Sequence, residues 1–350
     1  MLAFKEHVYI DMLPKKGEVI MAVDVGGTNC NFGIFNHIDN QHILLFSIHF
    51  NSQEIISFVD VLKQVLIYLK TTYGILVQQL CIASSGVVSP HRNYSKPTNL
   101  PFAIDVQDIQ KATDIKSIAL ANDFEVIGLG IGKIDPQNVV QVHKGVMQER
   151  AHKAIVGAGS GLGKCMMFWE SDRNRYMPIA SEGGNADFAA QSDIEFELIT
   201  FIRNMHNNFC NISWTDVLSG KGIRNIYDFF CQYNQKKDVS NVLKNGMISS
   251  EEIFNARMSN QNAWNTYELY ARIYARCVKN FALDSLAIGG MYVTGGIAVR
   301  NLSLFQTDLF LNEFINCRQQ KALLREIPIY VITDYNISLY GAIEYLQLGQ

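Results

Sequence analysis

Two glycine-rich bends, each at the end of a run of strand-forming residues, restrict the folds open to this chain. The first is Asp24-Val-Gly-Gly-Thr28, set between the apolar runs at 19–23 and 32–36. The second is Gly157-Ala158-Gly159-Ser160-Gly161, which closes one strand-like run at 154–158 and precedes another at 164–169. Gly26 and Gly27 let backbone approach a bulky anion closely, Thr28 and Asn29 add hydroxyl and amide donors, and Asp24 can hold a divalent cation directly or through water. Taken alone, the first bend is equally a Gly-Gly hairpin turn. The second fits neither familiar phosphate motif. A Walker A loop would need its first glycine at Ala158 and its magnesium hydroxyl at Cys165, while Leu162, Lys164 and Met166 occupy the last-glycine positions of a dinucleotide fingerprint.

A chain of 350 residues predicts two domains rather than one small core. Hydrophobic residues at 48% and charged residues at 18% place it among globular proteins. A net charge of -3 without a dense Lys/Arg cluster argues against a nucleic-acid partner and towards small-molecule chemistry. Seven widely spaced cysteines (30, 81, 165, 210, 231, 277 and 317), with no C-x-x-C pair, disfavour a disulfide framework or a zinc site and fit a reducing cytosol. Lys5, Glu6, His7 and Asp11 interrupt any export signal, and the stretch 285–299 is too short for the ~18 apolar residues of a bilayer span. No membrane partner is expected. The pattern predicts strands at 19–23, 32–36, 42–48, 78–84, 117–121, 154–158, 164–169, 291–294 and 328–332. Helices are predicted at 53–73, from 124, and at 192–206, 216–233, 262–283, 301–314 and 336–347. This is an α/β chain with two sheets, whose domains are expected to meet through a ligand-binding cleft.

With Asn122-Asp-Phe124, Ser181-Glu-Gly-Gly-Asn-Ala-Asp-Phe188, Val217-Leu-Ser-Gly-Lys-Gly-Ile223 and Val293-Thr-Gly-Gly-Ile-Ala298 in order, the chain from about 19 to 348 resembles the bacterial-type glucokinases. These belong to the hexokinase, actin and heat-shock chaperone ATPase superfamily. The resemblance implies a two-domain ribonuclease H-like (actin-like) fold. Residues 1–133 with 336–350 would form the small domain, with the first phosphate loop and the catalytic Asp at its edge, and 134–335 the large one. It implies ATP-dependent phosphorylation of a hexose, most simply glucose to glucose 6-phosphate, and a homodimer, which the family often forms. Alternatives are a kinase for another hexose or an N-acetyl-hexosamine, or a catalytically weak sugar or nucleotide sensor of the same fold.

Phosphorylating a sugar hydroxyl requires a base, support for the phosphates and groups that fix the sugar. Asp123 is expected as the base, although the start of a helix also suits Asn122 or Asp123 as a plain cap. By resemblance, Asn99, Asn122, Asp123, Glu182, Asn185 and Thr215 meet the sugar. Asp24, Gly26, Gly27, Thr28, Asn29, the bend 157–161 and the turn Gly295-Gly296 meet ATP, with Gly220, Lys221 and Gly222 along the same wall. Mg²⁺ is expected with ATP, near Asp24, without a dedicated protein cage. The family has His where Asn185 stands and Glu where Thr215 stands, so the choice or affinity of hexose is expected to differ.

Overall fold

The computed structural model describes residues 2–10, 18–39, 41–205, 211–235 and 248–348. Asp11, His206, Cys210 and the last two residues of the expected small domain lie outside them. The chain divides into two compact units, Met1–Asp135 with Tyr335–Gln350, and Pro136–Asp334.

In the first unit, six strands stand in the order β1-β4-β3-β2-β5-β8. They are β1 Lys5–Val8, β2 Glu18–Val25, β3 Asn29–Ile38, β4 Gln41–Asn51, β5 Gln79–Ser84 and β8 Ser117–Asn122, with a separate ribbon of β6 Tyr94–Ser95 and β7 Ile104–Asp105. β2, β3 and β4 form an antiparallel meander, and β5 and β8 run parallel to β2. Alternate residues of β2 serve opposite faces, as the twofold repeat of a strand requires. Met21, Val23 and Val25 pack with Phe58 and Leu62 of α1 (Phe58–Tyr68), near Ile109 of α2 (Val106–Ala112). Ile20 and Ala22 pack with Val126 of α3 (Asp123–Gly130) and with Leu339, Ala342 and Ile343 of α13 (Ile337–Leu348). A Cβ on Gly341 would lie 1.6 Å from the Val126 carbonyl oxygen, so only glycine lets α13 press against α3. The helix expected over 53–73 starts late because the Ser57 hydroxyl caps it, accepting from the Asp60 amide at 3.3 Å. It closes through a π-type turn, Leu69–Tyr73, that ends on left-handed Gly74.

The second unit repeats the plan. Its sheet runs β12-β11-β10-β13-β14-β9, from β9 Val139–His143, β10 Lys153–Ala158, β11 Leu162–Glu170, β12 Arg175–Ser181, β13 Met291–Thr294 and β14 Ile329–Ile332. β10, β11 and β12 form the meander, and β13 and β14 continue it in parallel. Helices α4 Asp193–Met205, α5 Trp214–Val217, α6 Gly220–Gln235, α7 Ser250–Asn255 and α8 Gln261–Asp284 follow β12. The short helices α9 Gly296–Arg300, α10 Leu302–Phe305, α11 Asp308–Phe314 and α12 Lys321–Glu326 link β13 to β14. The expected helix 216–233 is broken at Leu218-Ser219, where Ser219 Oγ accepts from the Gly222 amide at 3.0 Å and starts a new helix. The expected helix over 301–314 is likewise α10 and α11, the latter capped by Thr307.

Candidate functional site

The first bend leaves the C-terminal end of β2 and returns into β3. Its backbone closes through Gly26 N to Asn29 O at 3.0 Å, and Gln53 Nε2 donates to Gly27 O at 2.6 Å. Thr28 and Asn29 are exposed. Asp24 accepts a hydrogen bond from Ser338 Oγ at 2.7 Å, in the first turn of α13. Burial raises the Asp24 carboxyl above its ordinary range, and the Ser338 hydroxyl partly offsets this by favouring the charged form. Directly across the ladder from Asp24 stands Asn31, whose buried side-chain oxygen has no hydrogen-bond partner. Ser52 and Ser85 also carry buried hydroxyls without partners, and their amides donate to Thr28 O and Val25 O respectively. Unmet buried polar atoms are uncommon, and these three collect around one glycine bend.

Asp123 starts α3 at the same end of the parallel strands, since Val25 stands opposite Ser84 and Ser84 opposite Asn122. Asn122 is the cap: its Oδ1 accepts from the Phe124 and Glu125 amides at 2.9 and 3.3 Å. Its Nδ2 donates to Gly86 O at 3.0 Å. The side chain expected to meet sugar is therefore committed to shaping this junction, while Asp123 is half-buried and its Oδ1 accepts from the Phe124 amide at 3.0 Å. Thr98 N donates to Ser85 O at 3.2 Å, which brings exposed Asn99, in a left-handed conformation, to the same loop cluster. Ser85, Gly86, Arg92, Glu125, Ser338 and Gln53 escaped the sequence reading; of these, only Glu125, three residues after Asn122, leaves a local signature, that of a capping box.

In the second unit, the bend 157–161 is held by Gly159 N to Gly161 O at 2.8 Å and by Gly220 N to Gly159 O at 2.9 Å. The start of α6 thus touches it. Gly295, at φ 92°, heads α9, and a Cβ there would sit 2.5 Å from Ala158 O. Gly157 pairs with Thr294 across β10 and β13, so the bend and the Gly295-Gly296 turn share one sheet edge. Thr215 joins this cluster to the Glu182 turn: its Oγ1 accepts from Leu162 N at 3.3 Å, and its amide donates to Gly184 O at 2.9 Å. Exposed Glu182 accepts from Asn185 Nδ2 at 3.0 Å. Asp216, beside Thr215, is spent on the Ser213 cap, and Gly222 lies against the Val217 backbone. Exposed Lys221 stands between Gly220 and Gly222. All the expected second-unit residues therefore fall within one connected set of loops.

A protein-family model described as Glucokinase matches residues 21–348. A glucokinase from Nostoc punctiforme is 30% identical over 346 residues, covering 93% of this chain and 97% of the relative. Two solved structures are similar in fold. The glucokinase from Balamuthia mandrillaris in complex with glucose has a TM-score of 0.81 at 18% identity, covering 94% of each chain. A ROK family glucokinase from Streptomyces griseus in complex with glucose and AMPPNP has a TM-score of 0.59 at 13% identity, covering 95% of this chain and 100% of that one. Both support the two-domain actin-like fold.

Proposed function

The chain belongs to the glucokinase family, and from this we propose that it transfers the γ-phosphoryl group of ATP to the 6-hydroxyl of glucose, with Asp123 as general base. The observation that carries the reading is the placement of Asp123 at the head of α3, on the sheet edge from which the first glycine bend also leaves. A carboxylate there accepts the hydroxyl proton as the oxygen attacks phosphorus. Asn122 shapes that junction and offers its remaining amide hydrogen to sugar. Asn99, Glu182 and Asn185 serve as hydroxyl partners, and Thr215 supports the turn carrying Glu182. The backbone amides of 26–29 and 157–161, with Gly295 and Gly296, receive the nucleotide.

The residues present suit Mg²⁺, which prefers hard oxygen ligands. Asp24 supplies a carboxylate, and Asn31 opposite it supplies a buried oxygen that nothing else uses. When bound with ATP, the ion would neutralise charge on the phosphate oxygens. Asp24 and Asn31 would hold it directly or through water. Among the described residues no helix is long and apolar enough to cross a membrane. Buried thiols at Cys30, Cys81 and Cys277 suit work in a reducing cytoplasm.

A coupled ADP-release assay over glucose, mannose, fructose and N-acetyl sugars tests the reading. Glucose-dependent release is expected, and Asp123→Asn should lower kcat by about 10²–10⁴-fold with ATP affinity retained. Near-normal turnover in that variant would remove Asp123 from the role. ATP binding without release on any sugar would refute the kinase reading itself.

A further inference from the structure

Glu125 carries more than a helix cap needs. In a capping box the third helical residue lends one oxygen to the cap's amide, and a neutral Gln performs this as well as Glu. Here Glu125 Oε2 accepts from Asn122 N at 3.1 Å, yet both carboxylate oxygens are also gripped by Arg92. Nη1 lies in close contact with Oε2, and Nη2 is 2.9 Å from Oε1. The Glu125 side chain is 3% exposed and that of Arg92 44%. Arg92 sits at φ 54°, a left-handed conformation that a non-glycine residue adopts at a cost, and its guanidinium stands 5.9 Å above the Tyr345 ring of α13. Burying the Glu125 carboxylate against a half-exposed guanidinium is seldom the cheapest route to stability, because desolvation offsets much of the attraction. What it supplies is a fixed geometry. The fork ties the loop after β5 and, through the Tyr345 ring, α13 to the start of α3, where Glu125 holds the Asn122 amide just ahead of Asp123 and Gly86 O holds the Asn122 side chain.

We propose that Arg92 and Glu125 are a positioning pair that fixes the Asn122-Asp123 junction and with it the direction of the Asp123 carboxylate, an inference that rests on the proposed role of Asp123. Neither residue touches substrate in this scheme; both act through the backbone of 122–125. Misplacing a reacting group by about 1 Å costs on the order of 10²-fold in rate, so a modest slackening of this junction is kinetically visible.

The test uses the full chain as Arg92→Ala, Glu125→Gln and the double variant, beside the unaltered protein and Asp123→Asn. Glu125→Gln keeps the cap and secures a folded sample. We expect each single variant to lose about 10- to 100-fold in kcat with KM for ATP within about twofold, and the double variant to lose no more than the worse single, since the two residues form one unit. Methylguanidinium should restore part of the turnover of Arg92→Ala and none of that of Glu125→Gln, a rescue that general destabilisation would not allow. Amide exchange at Phe124 and Glu125 should speed up about tenfold in both singles, whether or not the protein turns over sugar. Unchanged exchange there overturns the proposal. So does unchanged kcat in the pair variants while Asp123→Asn is inactive, an outcome that leaves the kinase reading standing. If the unaltered protein shows no sugar-dependent turnover, the kinase reading fails and the exchange measurement alone decides the clamp.

Discussion

Replacing Ser338 by alanine removes the hydroxyl that meets the Asp24 carboxylate at 2.7 Å, and the loss should depend on pH in a direction the structure dictates. Burial raises the Asp24 carboxyl, so the folded chain favours its protonated form. Stability therefore falls as pH climbs from the unfolded carboxylate range to the folded-state ionisation, and levels off above it. Ser338 opposes this by stabilising the charged form, and without it the folded-state ionisation moves higher still. The difference between variant and parent is then small at acid pH, where both hold a neutral carboxyl, and grows as the parent's Asp24 ionises. A hydrogen bond to a charged group contributes about 1.5–3 kcal/mol, against about 0.5–1.5 kcal/mol for a neutral one. For a unit of this size, about 2 kcal/mol corresponds to roughly 4–8 °C in Tm. Thermal unfolding from acid to mildly alkaline pH, with and without ATP and Mg²⁺, measures it. An equal drop in Tm at every pH would show that Asp24 does not ionise in contact with Ser338.

Gly295→Ala forces a side chain to within 2.5 Å of the Ala158 oxygen at φ 92°, displacing the second bend. The KM for ATP should rise about tenfold or more, corresponding to roughly 1.4 kcal/mol or more, and an unchanged value would separate that turn from the nucleotide. Asn185→Ala removes the amide donated to Glu182 at 3.0 Å. Because this contact is exposed, KM for glucose should rise only about two- to tenfold with kcat preserved, and an equal fall in kcat would instead place Asn185 in the transition state.

Most of the sheets were legible in the sequence because their strands are runs of Val, Ile, Phe and Met that both faces bury. β13 was read at 291–294, where it lies, and β2, β5, β8 and β10 within two residues at either end. The edge strands β1, β9 and β12 were not. β1, Lys-Glu-His-Val, and β12, which carries Pro178, expose much of their length and lack the apolar signature. Helix breaks at Leu218-Ser219 and before Thr307 were missed because a serine or threonine cap within an apolar pattern looks like an ordinary polar position. In the site, glycines marked both bends, since close backbone approach selects for them locally. Ser338 and Arg92 left no such trace, because their partners lie 314 and 33 residues away and only the packed strands and helices bring them together.

The contact of Gly341 with the Val126 carbonyl also bears on how the molecule is made. The helix that completes the cover of one face of the first sheet is translated after the entire second unit, so Ile20, Ala22 and Phe35 must wait, with α3 alone beside them, while that unit emerges from the ribosome. Pairings of such long sequence separation form slowly and leave nascent surface open to aggregation. Clipping the chain ahead of Tyr335 would therefore cost the first unit its lid and Asp24 its hydroxyl donor together, and yield would suffer before activity could be assayed.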